Sequence, residues 1–151
     1  MYQIILAVHN ILRWIVVIFA VVAIIRAYVG WIGKREYTEM DRKVGVFFSV
    51  SLDIQVLLGF LLYIFLSPIT RTAFQDFGTA MTIPDIRYFA VEHILMMILA
   101  VILVHVGTIF IKRATSNVSK HRRAAIWYSL GSLVMVIAVP WWRPLLPGFG
   151  V

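Results

Sequence analysis

Two histidines sit inside long apolar runs, His9 in the first and His93 in the third. Imidazole is costly in hydrocarbon, so an intramembrane histidine points to function. At about 1.5 Å of rise per residue, His9 lies about 9 Å in from Gln3 and His93 about 10 Å in from Ile86. Two imidazoles converging at one depth can clamp a metal from both sides, and axial His ligation of haem iron is the chemistry this pairing suits best. The alternatives are an interhelical hydrogen-bonded or proton-handling pair, or another metal. Zinc asks for more ligands than two histidines, although Glu92 is adjacent.

Arg13 follows His9 by one helical turn and shares its face. A guanidinium that deep needs an anion; a haem propionate, Glu92 and Asp53 are the candidates. Gly59 in the second run lies at the same depth, about 10 Å from Leu66, where a missing side chain admits a flat macrocycle. Gly131 in the fourth run is deeper, and either glycine also suits plain helix packing. Asn10 and Gln55 are the neutral polar residues expected to join the network. His105 lies about 18 Å beyond His93, but the first, second and fourth runs offer no imidazole at that depth, so a second haem is not expected. Asp53 is close enough in depth for a hydrogen bond or proton step with His105. His121 belongs to a basic segment and is expected to face solvent or headgroups.

Composition sets the class. Of 151 residues 62% are hydrophobic and 14% charged, and the mean hydropathy is +0.91, too apolar for a soluble domain of this size. Cysteine is absent, which excludes disulfides, thiolate-held iron–sulfur clusters and covalent c-type haem, so any haem here must be held non-covalently. No nucleophile elbow, phosphate loop or inverted repeat is present.

Four runs of roughly membrane-spanning length are expected at 3–31, 43–66, 86–111 and 123–141. They predict an all-α integral membrane four-helix bundle forming one domain over 1–151. The first run lacks a basic flank and a small-residue cleavage site, so it is expected to persist as a helix. Thr38 with Asp41 and Thr82 with Asp85 have capping-box spacing, Pro84 suits a first turn, Ser119 is expected to cap the fourth helix, and Pro140 to end or kink it.

Charge orients the bundle. Residues 34–43 carry Lys34, Arg35, Arg42 and Lys43, and 112–123 carry Lys112, Arg113, Lys120, Arg122 and Arg123, against Arg71, Arg87 and Arg143 on the other side. The positive-inside rule then places both basic loops in the cytoplasm and both termini outside. The net charge of +7 is thereby a topology signal, with contact to anionic lipid secondary, rather than a nucleic-acid footprint. Trp31, Trp141 and Trp142 are placed as interfacial anchors. The connector 67–85 is long for a loop; its centre is expected to form an interfacial amphipathic helix, or a lid or docking surface over the site.

The segments His9-Asn10-Ile11-Leu12-Arg13-Trp14, Ser67-Pro68-Ile69, Val91-Glu92-His93-Ile94-Leu95-Met96-Met97, Lys120-His121-Arg122-Arg123 and Pro140-Trp141 resemble those of a family of small four-helix bacterial membrane proteins labelled cytochrome b. The resemblance spans most of the chain. It implies a four-helix bundle in the bacterial inner membrane with one b-type haem, and favours His9 and His93 as ligands over His105. The expected function is electron transfer near the outer face, with a quinol or redox protein as partner and Arg13 on a propionate. The competing expectation is a cofactor-free accessory subunit of a larger respiratory or photosynthetic membrane complex.

Overall fold

The computed structural model describes residues 1–143, which are helical almost throughout and contain no strand. Helix α1 spans Tyr2–Ile32 and α2 Glu39–Leu61, which a π-helical turn extends over Leu62–Leu66. Three short helices follow: α3 (Pro68–Gln75), α4 (Phe77–Thr82) and α5 (Pro84–Arg87). A second π turn, Tyr88–Glu92, leads into α6 (His93–Lys112), and α7 covers Asn117–Ile137. The stretches Tyr2–Ile32, Glu39–Leu66 and Pro84–Lys112 are long and apolar enough to cross a membrane.

The four long helices pack α2 on α1, α1 on α7 and α7 on α6, with a thinner seam between α6 and α2. Small residues allow this closeness: α1 buries Ala20, Ala23, Ala27 and Gly30 at helical spacing. Where water supplies no driving force between helices, backbone approach of this kind maximises dispersion contact. Gly131 belongs to the same packing and not to a ligand site, because a Cβ there would meet Val104 Cγ2 at 2.6 Å and Ala100 O at 3.3 Å. The interior residues Phe48, Leu52, Val16 and Val104 are fully buried.

Local signals decide most helix ends. Thr38 and Asp41 form the expected reciprocal capping box, and Pro84 occupies the first turn of α5. The Thr82–Asp85 box does not form: Ile83 occupies the cap position, and the Thr82 hydroxyl donates to Thr79 O instead. Helix α7 starts earlier than 123 because Ser116, rather than Ser119, is the cap, accepting from the Ser119 amide at 3.2 Å. It therefore takes Lys120, His121, Arg122 and Arg123 into its first turns and ends at Ile137, before Pro140.

The basic segments meet at one end of the bundle, where His121 Nε2 donates to Glu36 O at 3.2 Å. This overturns the solvent-facing placement of His121, which is only 2% exposed. Its ring stands edge-on to Tyr37, with centroids 5.0 Å apart, and lies against Gly30, where no side chain intervenes. Nearby, Arg26 pairs with Asp41 at 2.8 Å. Burial, with Tyr128 and Asp41 nearby, pushes the Tyr37 phenol well above its ordinary value. The 67–83 connector closes the other end.

Candidate functional site

His9 and His93 come together at the connector end, lining both lobes of one cavity between α1, α2 and α6. Arg13, Gly59 and Tyr63 line both lobes with them. The inner lobe is apolar, walled by Leu52, Phe60, Met97 and Met135 among others. The outer lobe, about 310 Å³, is bounded by the polar residues Gln3, Asn10, Ser67 and Thr70, with Arg143 at its edge. That volume is at the low end for a small-molecule cavity.

Helical spacing builds this wall. His9 and Arg13 are one turn apart on α1, and Gln55, Gly59 and Tyr63 repeat every four residues along α2. Gly59 opens space beside the first histidine, since a Cβ would lie 3.4 Å from His9 Cε1. Tyr63, Met97 and Met135 also line the site, although their residue types do not mark them out in an apolar sequence. The i, i+4 rhythm from Gln55, and from His93 to Met97, is the signal that finds the first two; Met135 comes from α7 and has no local signal.

The π turns shape the cavity's outer edge. Tyr63, in the first, donates its hydroxyl to Ala90 O in the second at 2.7 Å, and Thr70 of α3 donates to Tyr63 O at 2.7 Å. Single π turns of this sort concentrate at functional sites. The connector is therefore a wall of the cavity: Ser67, Ile69 and Thr70 line the outer lobe, while Ala73, Ala80 and Ala90 form a small core of their own. Phe74 and Phe77 remain exposed.

Each imidazole is held differently. His93 Nδ1 donates to Ala138 O at 2.7 Å, which leaves Nε2 of the neutral ring with its lone pair available. Gln55 Nε2 donates to His9 O at 3.0 Å and contacts His9 Nε2 at 3.2 Å. The amide can only donate, so His9 Nε2 is the acceptor and Nδ1 carries the proton, buried without a partner.

Arg13 lacks both protein carboxylates expected for it. Glu92 pairs with Arg87 at 2.7 Å and Asp53 contacts His105 at 3.4 Å; each is partly exposed and faces a nearer partner than Arg13. Arg13 is 9% exposed, its Nε has no hydrogen-bond partner among the described residues, and its Cζ lies 5.8 Å from the Trp14 ring centroid. Three unsatisfied polar atoms, on His9, Arg13 and Gln55, thus adjoin one cavity. Among the described residues no group of three or more His, Cys, Asp or Glu side chains is placed to hold a metal ion. Compared with protein-family models, curated proteins and solved structures, the chain matches none.

Proposed function

We propose that this chain is a four-helix membrane protein of the bacterial inner membrane that carries electrons on one non-covalent b-type haem held by His9 and His93. The observation that carries the reading is the shared cavity: two imidazoles and a buried guanidinium with no carboxylate partner among the described residues adjoin it. His93 would ligate through Nε2, its ring already steered by Ala138 O. His9 would ligate by exchanging the Gln55 amide for metal at Nε2. Arg13 would receive a propionate, and Gly59 leaves room beside the His9 ring. The bound iron supplies one-electron exchange between its ferric and ferrous states.

A haem needs more space than the outer lobe offers, so its entry would require α2 and α6, which share only a thin seam, to separate. In this reading α7 is the fourth span, the basic loops face the cytoplasm and both termini face outside. The site then lies toward the outer face, where a quinol or redox protein exchanges electrons with it.

The test is a reduced-minus-oxidised spectrum of protein purified from its native membrane. The expected result is the α-band of six-coordinate low-spin haem b at about one haem per chain, lost in His9→Ala and His93→Ala and retained in His105→Ala. Protein without Soret absorption that co-purifies stoichiometrically with a larger complex would overturn the reading in favour of an accessory subunit.

A further inference from the structure

His105 and Asp53 form a second polar pair, away from the cavity. His105 Nε2 lies 3.4 Å from Asp53 Oδ2, across the seam between α6 and α2. Both side chains are partly exposed, 47% and 39%, on faces otherwise presenting Val50, Ile54, Leu57, Ile102 and Ile109. Ionisable groups on such a face are expensive and persist where they pair and serve a purpose.

The hydrogen bonding of the ring determines what the pair holds. His105 Nδ1 sits 3.0 Å from Val101 O, one turn back along α6. A carbonyl only accepts, so Nδ1 carries a hydrogen. In a neutral ring Nε2 is then a bare lone pair, and it would face a carboxylate oxygen with nothing to join them. Attraction across the seam requires one more proton, on Nε2 as imidazolium facing carboxylate, or on the carboxyl facing neutral imidazole.

We propose that Asp53 and His105 together hold one exchangeable proton, making the α2–α6 seam a proton-binding site. No other ionisable side chain among the described residues pairs with either group. From the neighbouring helices, Arg26 of α1 is committed to Asp41, while Tyr128 and His121 of α7 lie in the cluster around Tyr37. Farther along α2 and α6 the charged residues are Glu39, Asp41, Arg42, Lys43 and Lys112. His105 is about 10 Å from Lys112 along the helix, which places the proton in the half of the bundle nearest the basic loops. The site shares α2 and α6 with the histidine cavity but none of its lining residues.

The experiment uses the full chain in lipid nanodiscs, without added haem, so its outcome is separate from that of the haem reading. Histidine ¹⁵N spectra report the state of the His105 ring, assigned by loss of its signal in His105→Gln. Infrared spectra report whether Asp53 is protonated. At neutral pH the expected result is either a His105 imidazolium that becomes the neutral Nδ1-protonated ring in Asp53→Asn, or a protonated carboxyl band that disappears in Asp53→Asn. Should Asp53→Asn fail to fold, loss or shift of the carboxyl band in His105→Gln carries the same information. A neutral His105 beside an ionised Asp53 would overturn the proposal, as would a His105 signal indifferent to Asp53→Asn.

Discussion

His93 Nδ1 donates to Ala138 O across 2.7 Å, joining the first residue of α6 to the C-cap of α7. A carbonyl at a helix end lacks an intrahelical donor and seeks one elsewhere. Ala138 O takes two, since the Tyr88 hydroxyl also donates to it at 2.6 Å. The imidazole is thereby held in one tautomer before any ligand arrives, and α7, which contributes no ionisable side chain to the cavity, sets the chemistry of a residue that does.

Arg13→Leu tests the role of the unpaired guanidinium. With no carboxylate among the described residues to strand, the ligand-free variant should be as stable as the parent or more so, because a buried charge without a partner costs stability. Haem affinity should fall about tenfold or more, the equivalent of losing about 1.4 kcal/mol of charge-assisted hydrogen bonding. The midpoint potential should fall too, since removing a nearby cation favours the oxidised cofactor. Thermal unfolding, haem titration and redox titration read the three effects; a large loss of stability without haem would point to a protein partner for Arg13.

Topology has a direct check. Reporters placed in the 33–38 and 113–116 loops should read cytoplasmic, and one after Val151 external. A cytoplasmic signal at the C-terminus would leave α7 short of crossing and detach the end of α7 from the outer face.

Gly30→Ala places a methyl group against the His121 ring. Overpacking of this kind costs about 1–3 kcal/mol, measurable as a lower unfolding temperature in detergent. Combining it with His121→Ala should recover part of the loss, because the added methyl then occupies space the ring vacates. Equal losses in the single and double variants would show that the two residues do not share that space.

The connector should loosen in acid. Asp76 caps α4 by accepting from the Thr79 amide at 3.0 Å and from the Thr79 hydroxyl at 2.6 Å, and these bonds hold its carboxyl below the usual range. A folded-state value below the unfolded one means the contribution is complete above the ordinary carboxylate range and disappears as pH falls through the folded value. Amide exchange in 76–82, corrected for intrinsic rates, should therefore show less protection at about pH 3 than at pH 7, and Asp76→Asn should flatten that difference. Protection independent of pH in the parent would remove Asp76 from this role.

Much of the architecture is local in origin and legible in the residues themselves. Long apolar runs make membrane-length helices because hydrocarbon demands internally satisfied backbone, and the Thr38–Asp41 box needs only residues three apart. The depths of His9 and His93 follow from helical rise alone, which is why counting residues brings them to one layer. Partner choice is different, because it depends on side-chain direction around each helix and on which helices become neighbours. Arg13, Glu92 and Asp53 have compatible depths and charges, yet Glu92 turns to Arg87 and Asp53 to His105. His121 lies in a basic segment and is nonetheless buried, because a glycine on α1 and the Glu36 carbonyl make a place for its ring. Residue order determined how deep each group stands; tertiary packing decided what each one faces, because facing is a relation between helices that no single helix contains.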